Sequence, residues 1–189
     1  MIRRVLAAVA ALCAGALTLA GPATADELDA IPGLKIVPYP VSGTDAASLR
    51  RSIITQRRID PKTGEAFDAF TRWQVSWSWS GDGQGHCDLT SVKVAFHVEV
   101  TLPELVDPKR LPADVLPRWN AYLSALRHHE AGHARHAYEG VEAIRQAVSQ
   151  GDCAHANDRG RAVVQRLNQF DIDYDRDTQH GIRQGTILP

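Results

Sequence analysis

The chain has 189 residues, of which 21 are basic and 22 acidic, giving a formal net charge of −1 at pH 7. This near balance argues against a surface built to bind nucleic acid. Hydrophobic residues make up 44% of the chain, which suits a domain with a packed core. Beyond the first 25 residues no segment approaches the ~20 uninterrupted apolar residues of a membrane span, so stable membrane insertion is not expected.

The N-terminus has the pattern of a secretory signal peptide. Two arginines precede the apolar run Val5–Ala20, and small residues around Ala25 suit cleavage by signal peptidase. We therefore predict a signal peptide over residues 1–25 and a single exported domain over residues 26–189, in the periplasm or outside the cell.

Two cysteines remain after removal of the signal peptide, Cys87 and Cys153. In an oxidising compartment they are predicted to form one disulfide. Neither belongs to a C-x-x-C pair, which argues against a role as zinc ligand.

The first predicted elements are a strand and a short helix. The segment 34–41 has an extended pattern broken by two prolines, which indicates an edge strand. Thr44 is the predicted cap of a helix that runs to about Ile54, and the segment 60–64 has the composition of a turn.

A long antiparallel hairpin is predicted next. Apolar and polar residues alternate from Ala69 to Ser80 and again from Val92 to Val100, with a glycine-rich reversal between them. The first of these strands carries three tryptophans on one face. Such a stripe packs against a core or, in an enzyme that acts on cell walls, stacks on sugars. The tryptophans are Trp73, Trp77 and Trp79.

The strongest functional signal lies in a long predicted helix from Pro117 to about Gln150. Within it, His129, Glu130 and His133 form the pattern H-E-x-x-H. Residues four apart lie on one face of a helix, so the two imidazoles converge on one metal ion while the carboxylate projects beside them. This pattern is typical of zinc hydrolases. A solvated, histidine-rich helix face is the alternative.

A catalytic zinc needs a third protein ligand. A second helix is predicted from about Asn157 to Phe170, followed by a polar segment over residues 174–181. His180 is our predicted third ligand, with Asp175 and Asp177 as alternatives, either as ligands or as partners that orient a ligand imidazole. The metzincin spacing is excluded because Glu139 stands where that pattern has histidine, and the aspartates of this segment do not fit a calcium loop.

The chain resembles a bacterial family of unknown function whose members are described as predicted secreted zinc-dependent proteases. The resemblance spans nearly the whole exported part and rests on several motifs taken in order. They are Tyr39-x-Val41-x-Gly43, the tryptophan-rich strand before Cys87, Leu102-Pro103, Trp119-x-x-Tyr122, His129-Glu130-Ala131-Gly132-His133, Cys153 and Tyr174-Asp175-Arg176-Asp177-Thr178-Gln179-His180-Gly181. The resemblance implies that His129 and His133 bind zinc, that Glu130 catalyses, and that His180 is a ligand.

These observations predict an α+β, zincin-like fold in which a small antiparallel sheet packs on the H-E-x-x-H helix, followed by a second, C-terminal helix. The predicted function is a secreted Zn²⁺-dependent peptidase in which a metal-activated water attacks a peptide bond and Glu130 is the general base. Tyr138 or Tyr174 would donate to the oxyanion. An extended peptide could pair with the strand over residues 88–101 if its edge is exposed. A zinc amidase acting on peptidoglycan and a non-catalytic metal-binding module are the alternatives.

Overall fold

The structure is a computed structural model that describes residues 27–59, 64–82 and 86–188. The predicted signal peptide and the tip of the predicted hairpin lie outside these residues. The strands and helices follow in chain order. They are β1 (Leu34–Val41), α1 (Ala46–Gln56), β2 (Arg58–Ile59), β3 (Ala66–Phe67), β4 (Phe70–Gly81), β5 (Cys87–Leu105), α2 (Val115–Ser149) and α3 (Ala156–Thr178), with 3₁₀ turns at Pro108–Arg110 and Ile182–Gln184.

The main sheet has the order β1-β5-β4 and is mixed, so the prediction of an antiparallel sheet is wrong in part. The hairpin is confirmed because β4 pairs with β5 in antiparallel fashion. However, β1 runs parallel to β5, alongside Val98–Leu105. A parallel partner requires a long connection rather than a tight turn, and α1 with the small β2-β3 ladder forms part of the connection here.

The predicted edge strand β1 and the helix after it are confirmed. The side-chain cap of α1 is Asp45 rather than Thr44, since Asp45 Oδ1 accepts from the backbone N–H of Ser48 at 2.7 Å. The Ser48 hydroxyl accepts in return from the Asp45 backbone at 3.1 Å. This reciprocal capping box satisfies donors that the first helical turn leaves open.

The tryptophan face of β4 points toward the helices. Trp73, Trp77 and Trp79 pack against the hydrophobic cluster that includes Ile144 and Val148 of α2. The indole N–H of Trp77 also donates to Asn157 at the start of α3. The sequence pattern therefore reflects core packing, and these rings are not arranged as an open surface for stacking on sugars.

The two long helices are joined by a short turn and pack against each other. A methyl group added at Gly140 would lie 2.6 Å from the Leu167 side chain, and one at Gly160 would lie 2.8 Å from Val148. These glycines therefore allow α2 and α3 to approach closely. A different hydrophobic cluster surrounds the first half of α2, so residues 129–133 lie near the junction of the two clusters.

Helix α3 extends to Thr178, well beyond the predicted end at Phe170. The predicted polar segment after the last helix is therefore mostly helical. Asp171 and Asp175 are four residues apart and share one helix face, from which both hydrogen-bond with His133 of α2. These tertiary contacts explain why an acidic stretch without apolar periodicity continues the helix.

Cys87 and Cys153 are joined by the predicted disulfide, which ties the start of β5 to the turn before α3. In the part of the chain that the structure describes, none of the helices combines the length and apolar character of a membrane span.

Candidate metal centre

Helix α2 presents His129 and His133 one turn apart, as the motif requires. Their rings have centroids 4.9 Å apart and stand nearly perpendicular, at 89°. Both residues and the intervening Glu130 are buried. The two histidines therefore do not form a solvated helix face but the wall of an internal polar site.

Asp175 of α3 lies opposite the two imidazoles. Its Oδ1 atom is 3.1 Å from the Nε2 atom of His129 and 3.1 Å from the Nε2 atom of His133. One ligand atom from each of the three residues lies within 4.8 Å of the others. Zinc bonds of ~2.0–2.2 Å in a tetrahedral arrangement place neighbouring ligand atoms roughly 3.3–3.5 Å apart. The donor set is one that Zn²⁺ prefers, and both histidine-to-aspartate distances lie within a few tenths of an ångström of this spacing.

The outward nitrogens of both imidazoles are also held. His129 Nδ1 donates to Gln184 Oε1 at 2.8 Å, and His133 Nδ1 donates to Asp171 Oδ1 at 2.9 Å. Asp171 is itself fixed, because its Oδ2 accepts from the Trp73 indole at 2.9 Å. Histidines that bind metals typically donate their second N–H in this way, which fixes the ring orientation and the tautomer.

The charges of the centre are strongly coupled. Burial lowers the pKa of His133, but hydrogen bonds to Asp171 and Asp175 outweigh it and raise the pKa to about 10. Burial raises the pKa of the Asp175 carboxyl, yet hydrogen bonds from His129 and His133 leave it well below its usual range. Without a cation, the proton on His133 therefore stabilises the nearby carboxylates, and a divalent cation has to displace it.

Glu130 lies on the side of the histidine pair that faces the sheet. Its Oε2 accepts a hydrogen bond from the Thr71 hydroxyl of β4 at 2.7 Å. Burial raises the pKa of its carboxyl against the opposing effect of His133, His129 and Thr71. A raised pKa favours uptake of a proton by this carboxyl group, which suits a general base.

Tyr174 packs against both imidazoles. Its ring stacks on His129 with centroids 5.1 Å apart at 10° and meets His133 edge-on at 4.9 Å. A methyl group at Gly132 would lie 2.4 Å from the Tyr174 hydroxyl oxygen. The glycine inside the motif thus makes room for a tyrosine of α3.

The other predicted site residues lie farther from the centre. His180, the predicted third ligand, is outside the group of three; its Nδ1 is 3.5 Å from Asp175 Oδ1, and its side chain is 52% exposed. Asp177 is exposed and pairs with Arg176. Tyr138 lies about 180° from His129 around the helix axis, where its ring is near Phe96 of the sheet. Of the predicted alternatives, the structure brings Asp175 and Tyr174 to the histidine pair.

Three residues of this network carry no sequence signal that we could use: Thr71, Asp171 and Gln184. Thr71 stands at a strand start, and Gln184 lies in the polar C-terminal segment. Asp171 comes directly after the last residue of the apolar periodic pattern in α3. If the helix had been predicted to continue, the spacing of four residues would have placed Asp171 and Asp175 on one helix face.

No curated protein and no solved structure matches this chain significantly. The family described as "Bacterial protein of unknown function (DUF922)" matches residues 36–181, which include the motif of α2 and all of α3. Because this match covers more than half of the chain, the protein belongs to the DUF922 family.

Proposed function

We propose that this protein is an exported Zn²⁺-dependent peptidase, with the cation held by His129, His133 and Asp175. The observation that carries the proposal is the convergence of two imidazole Nε2 atoms on one carboxylate oxygen at 3.1 Å each. The buried Glu130 stands between these histidines in the sequence, where the H-E-x-x-H pattern has its base. In the family resemblance His180 is the third ligand, and the geometry favours Asp175 in that role.

A Zn²⁺ ion at this position would act as a Lewis acid and lower the pKa of a water molecule to near 7. Glu130 would accept the proton of the attacking water and deliver it to the leaving amine. The Thr71 hydroxyl hydrogen-bonds one oxygen of this carboxylate and so holds it in place. Asp171 and Gln184 would hold the two imidazoles at fixed angles. Positioned acid–base catalysis of this kind contributes ~10²–10⁴-fold to the rate.

The sheet edge that would receive a peptide is β4, not β5. A peptide was expected to pair with the strand over residues 88–101 on the condition that its edge is exposed, but β1 pairs with Val98–Leu105 and covers that part of the edge. β4 is the terminal strand in the described sheet and supplies Thr71 to Glu130. A cavity of about 460 Å³ lies along β4 between Trp73 and Ser76 and is bounded by α3. An extended peptide added to this edge would lie beside the centre.

A non-catalytic metal-binding module is the second candidate. It is favoured by the burial of His129, Glu130 and His133, which limits access of a large substrate to the centre, whereas the Asp175 side chain is partly exposed. Replacement of Glu130 separates the two candidates, because a metal-binding module does not need this carboxylate for any reaction.

The test compares wild-type protein with Glu130→Gln, and with Glu142→Gln as a control on an exposed turn of the same helix. We expect one equivalent of zinc in all three proteins. Wild type and the control should hydrolyse casein, and Glu130→Gln should lose at least ~100-fold in rate. Cell-wall fragments are assayed in parallel to detect an amidase. Zinc-loaded wild type that is inactive on both substrates would refute the peptidase and favour the metal-binding module.

A further inference from the structure

The C-terminal segment Gly181–Leu188 folds back onto the candidate metal centre. A methyl group at Gly181 would lie 3.0 Å from the Cγ atom of His129, so the backbone passes directly over this ring. The segment is fixed by the Thr186 N–H, which donates to the Gly181 carbonyl at 3.2 Å, and by Leu188, which is buried in the cluster around the first half of α2. It therefore forms one wall of the site.

Gln184 uses both ends of its amide within this wall. Its Oε1 accepts from His129 Nδ1 at 2.8 Å, and its Nε2 donates to the Tyr174 hydroxyl at 3.0 Å. Tyr174 in turn stacks on the face of His129. The Gln184 side chain thus restrains His129 in two ways. It hydrogen-bonds Nδ1 in the plane of the imidazole ring, and it hydrogen-bonds Tyr174, which stacks on the face of the ring.

The direction of these hydrogen bonds has a chemical consequence. A neutral imidazole carries one N–H, and a carbonyl oxygen can only accept. His129 Nε2 lies 3.1 Å from Asp175 Oδ1 in this structure, and it must lose any proton it carries there before it can bind a cation. With Gln184 Oε1 accepting from Nδ1, the single N–H of the neutral ring stays on Nδ1 and the Nε2 lone pair then faces the cation. His133 gains the same tautomer from Asp171, but the partner of His129 comes from a different part of the chain. Gln184 lies beyond residues 36–181, the range matched by the family.

We propose that Gln184 is a positioning residue that sets the tautomer of His129, and that docking of Gly181–Leu188 and cation binding stabilise each other. This inference rests on the cation site of the proposed function and not on hydrolysis. Coupling between two binding events is reciprocal. The bound cation therefore stabilises the docked C-terminal segment by the same free energy by which the docked segment stabilises the bound cation.

The experiment measures Zn²⁺ affinity by competition with a chelator in full-length variants. Gln184→Met keeps the size of the side chain but removes both hydrogen bonds, and we expect ~10–100-fold weaker binding, as for other outer partners of metal ligands. Gln184→Glu restores an acceptor for His129 and should bind nearly as wild type. Arg183→Ala removes a different contact of the same segment, to the Asp177 carbonyl, and should weaken zinc binding clearly less than Gln184→Met.

Two further readouts separate positioning from general loosening of the segment. The Nδ1–H signal of His129 in NMR spectra of the zinc-loaded protein should persist in wild type and Gln184→Glu and be lost in Gln184→Met. Hydrogen exchange of the Thr186 amide should slow when zinc is added to wild type, and slow less in Gln184→Met.

The outcomes distinguish this inference from the peptidase proposal. Weaker zinc binding by Gln184→Met supports the inference even if wild type hydrolyses nothing. Equal affinity of wild type and Gln184→Met, or an equal loss in Arg183→Ala, overturns the inference and leaves the peptidase proposal standing. Wild type that binds no zinc overturns both.

Discussion

Two aspartates of this protein, Asp68 and Asp175, each accept hydrogen bonds from several side chains, but the side chains around the two residues differ in their chemistry. Asp68 accepts from the Tyr122 hydroxyl at 2.8 Å and pairs with the guanidinium groups of Arg50 and Arg57. Asp175 instead faces the imidazoles of His129 and His133. Arginine stays protonated and cannot bind a metal, whereas a deprotonated imidazole is a good metal ligand. The first cluster is therefore closed to cations, and the second is a candidate site for one.

The Asp68 cluster nevertheless supports the orientation of Glu130, the proposed base. The Tyr39 hydroxyl donates to the Asp68 carbonyl at 2.6 Å, so both the backbone and the side chain of this residue are held just before β4. Three residues later Thr71 hydrogen-bonds Glu130. The Asp68 cluster thus fixes the start of β4, and β4 orients Glu130, the proposed base, through Thr71.

The largest expected effect on stability is that of Asp68→Asn. The variant leaves two guanidinium groups without their carboxylate. Removing one partner of a fully buried pair costs ~3–5 kcal/mol. Because the Arg50 and Arg57 side chains are 38% and 28% exposed, we expect a smaller loss of about 2–3 kcal/mol. Urea denaturation measures this loss, and zinc affinity should stay within about twofold. Loss of zinc binding in this variant would contradict the distinction between the two clusters.

A smaller effect on stability is expected from pH at the Asp175 cluster. The pKa of His133 is raised to about 10 in the cation-free protein. A raised pKa stabilises the fold fully below the ordinary value of about 6.5, and this contribution is lost as the pH rises toward 10. Between pH 7 and 9 chelated wild type should lose on the order of 2 kcal/mol in the free energy of unfolding.

The control for this pH dependence is His133→Asn, which cannot titrate and should show a clearly flatter pH profile. Zinc-loaded wild type should also be flatter, because its ligand imidazoles are already deprotonated. The same slope in chelated wild type and His133→Asn would show that another group is responsible.

The sequence predicted the regular parts of the fold well. The alternation of β4 and the periodicity of α2 depend on burial of one face, which is a local signal, and both elements were placed within a few residues. The parallel pairing of β1 with β5 was missed, because strand order depends on the path of the connection and not on the strand's own residues.

For the candidate site, the motif identified His129, Glu130 and His133 because a helix fixes their geometry. The position of Asp175 depended on how far α3 extends. That extension is stabilised by contacts of Tyr174 and the aspartates with α2, which the polar sequence of this segment does not reveal. The link from Gln184 to His129 joins residues far apart in the chain and follows no spacing rule.

Titration of the metal-free protein with Zn²⁺ determines whether His129, His133 and Asp175 bind one zinc ion. We predict one tight equivalent for wild type. Asp175→Asn should weaken binding by more than the ~100-fold that outer partners of metal ligands reach, and His180→Ala should weaken it by less than about tenfold. Wild type without a tight equivalent, or His180→Ala that loses the zinc while Asp175→Asn retains it, would rule out this set of ligands.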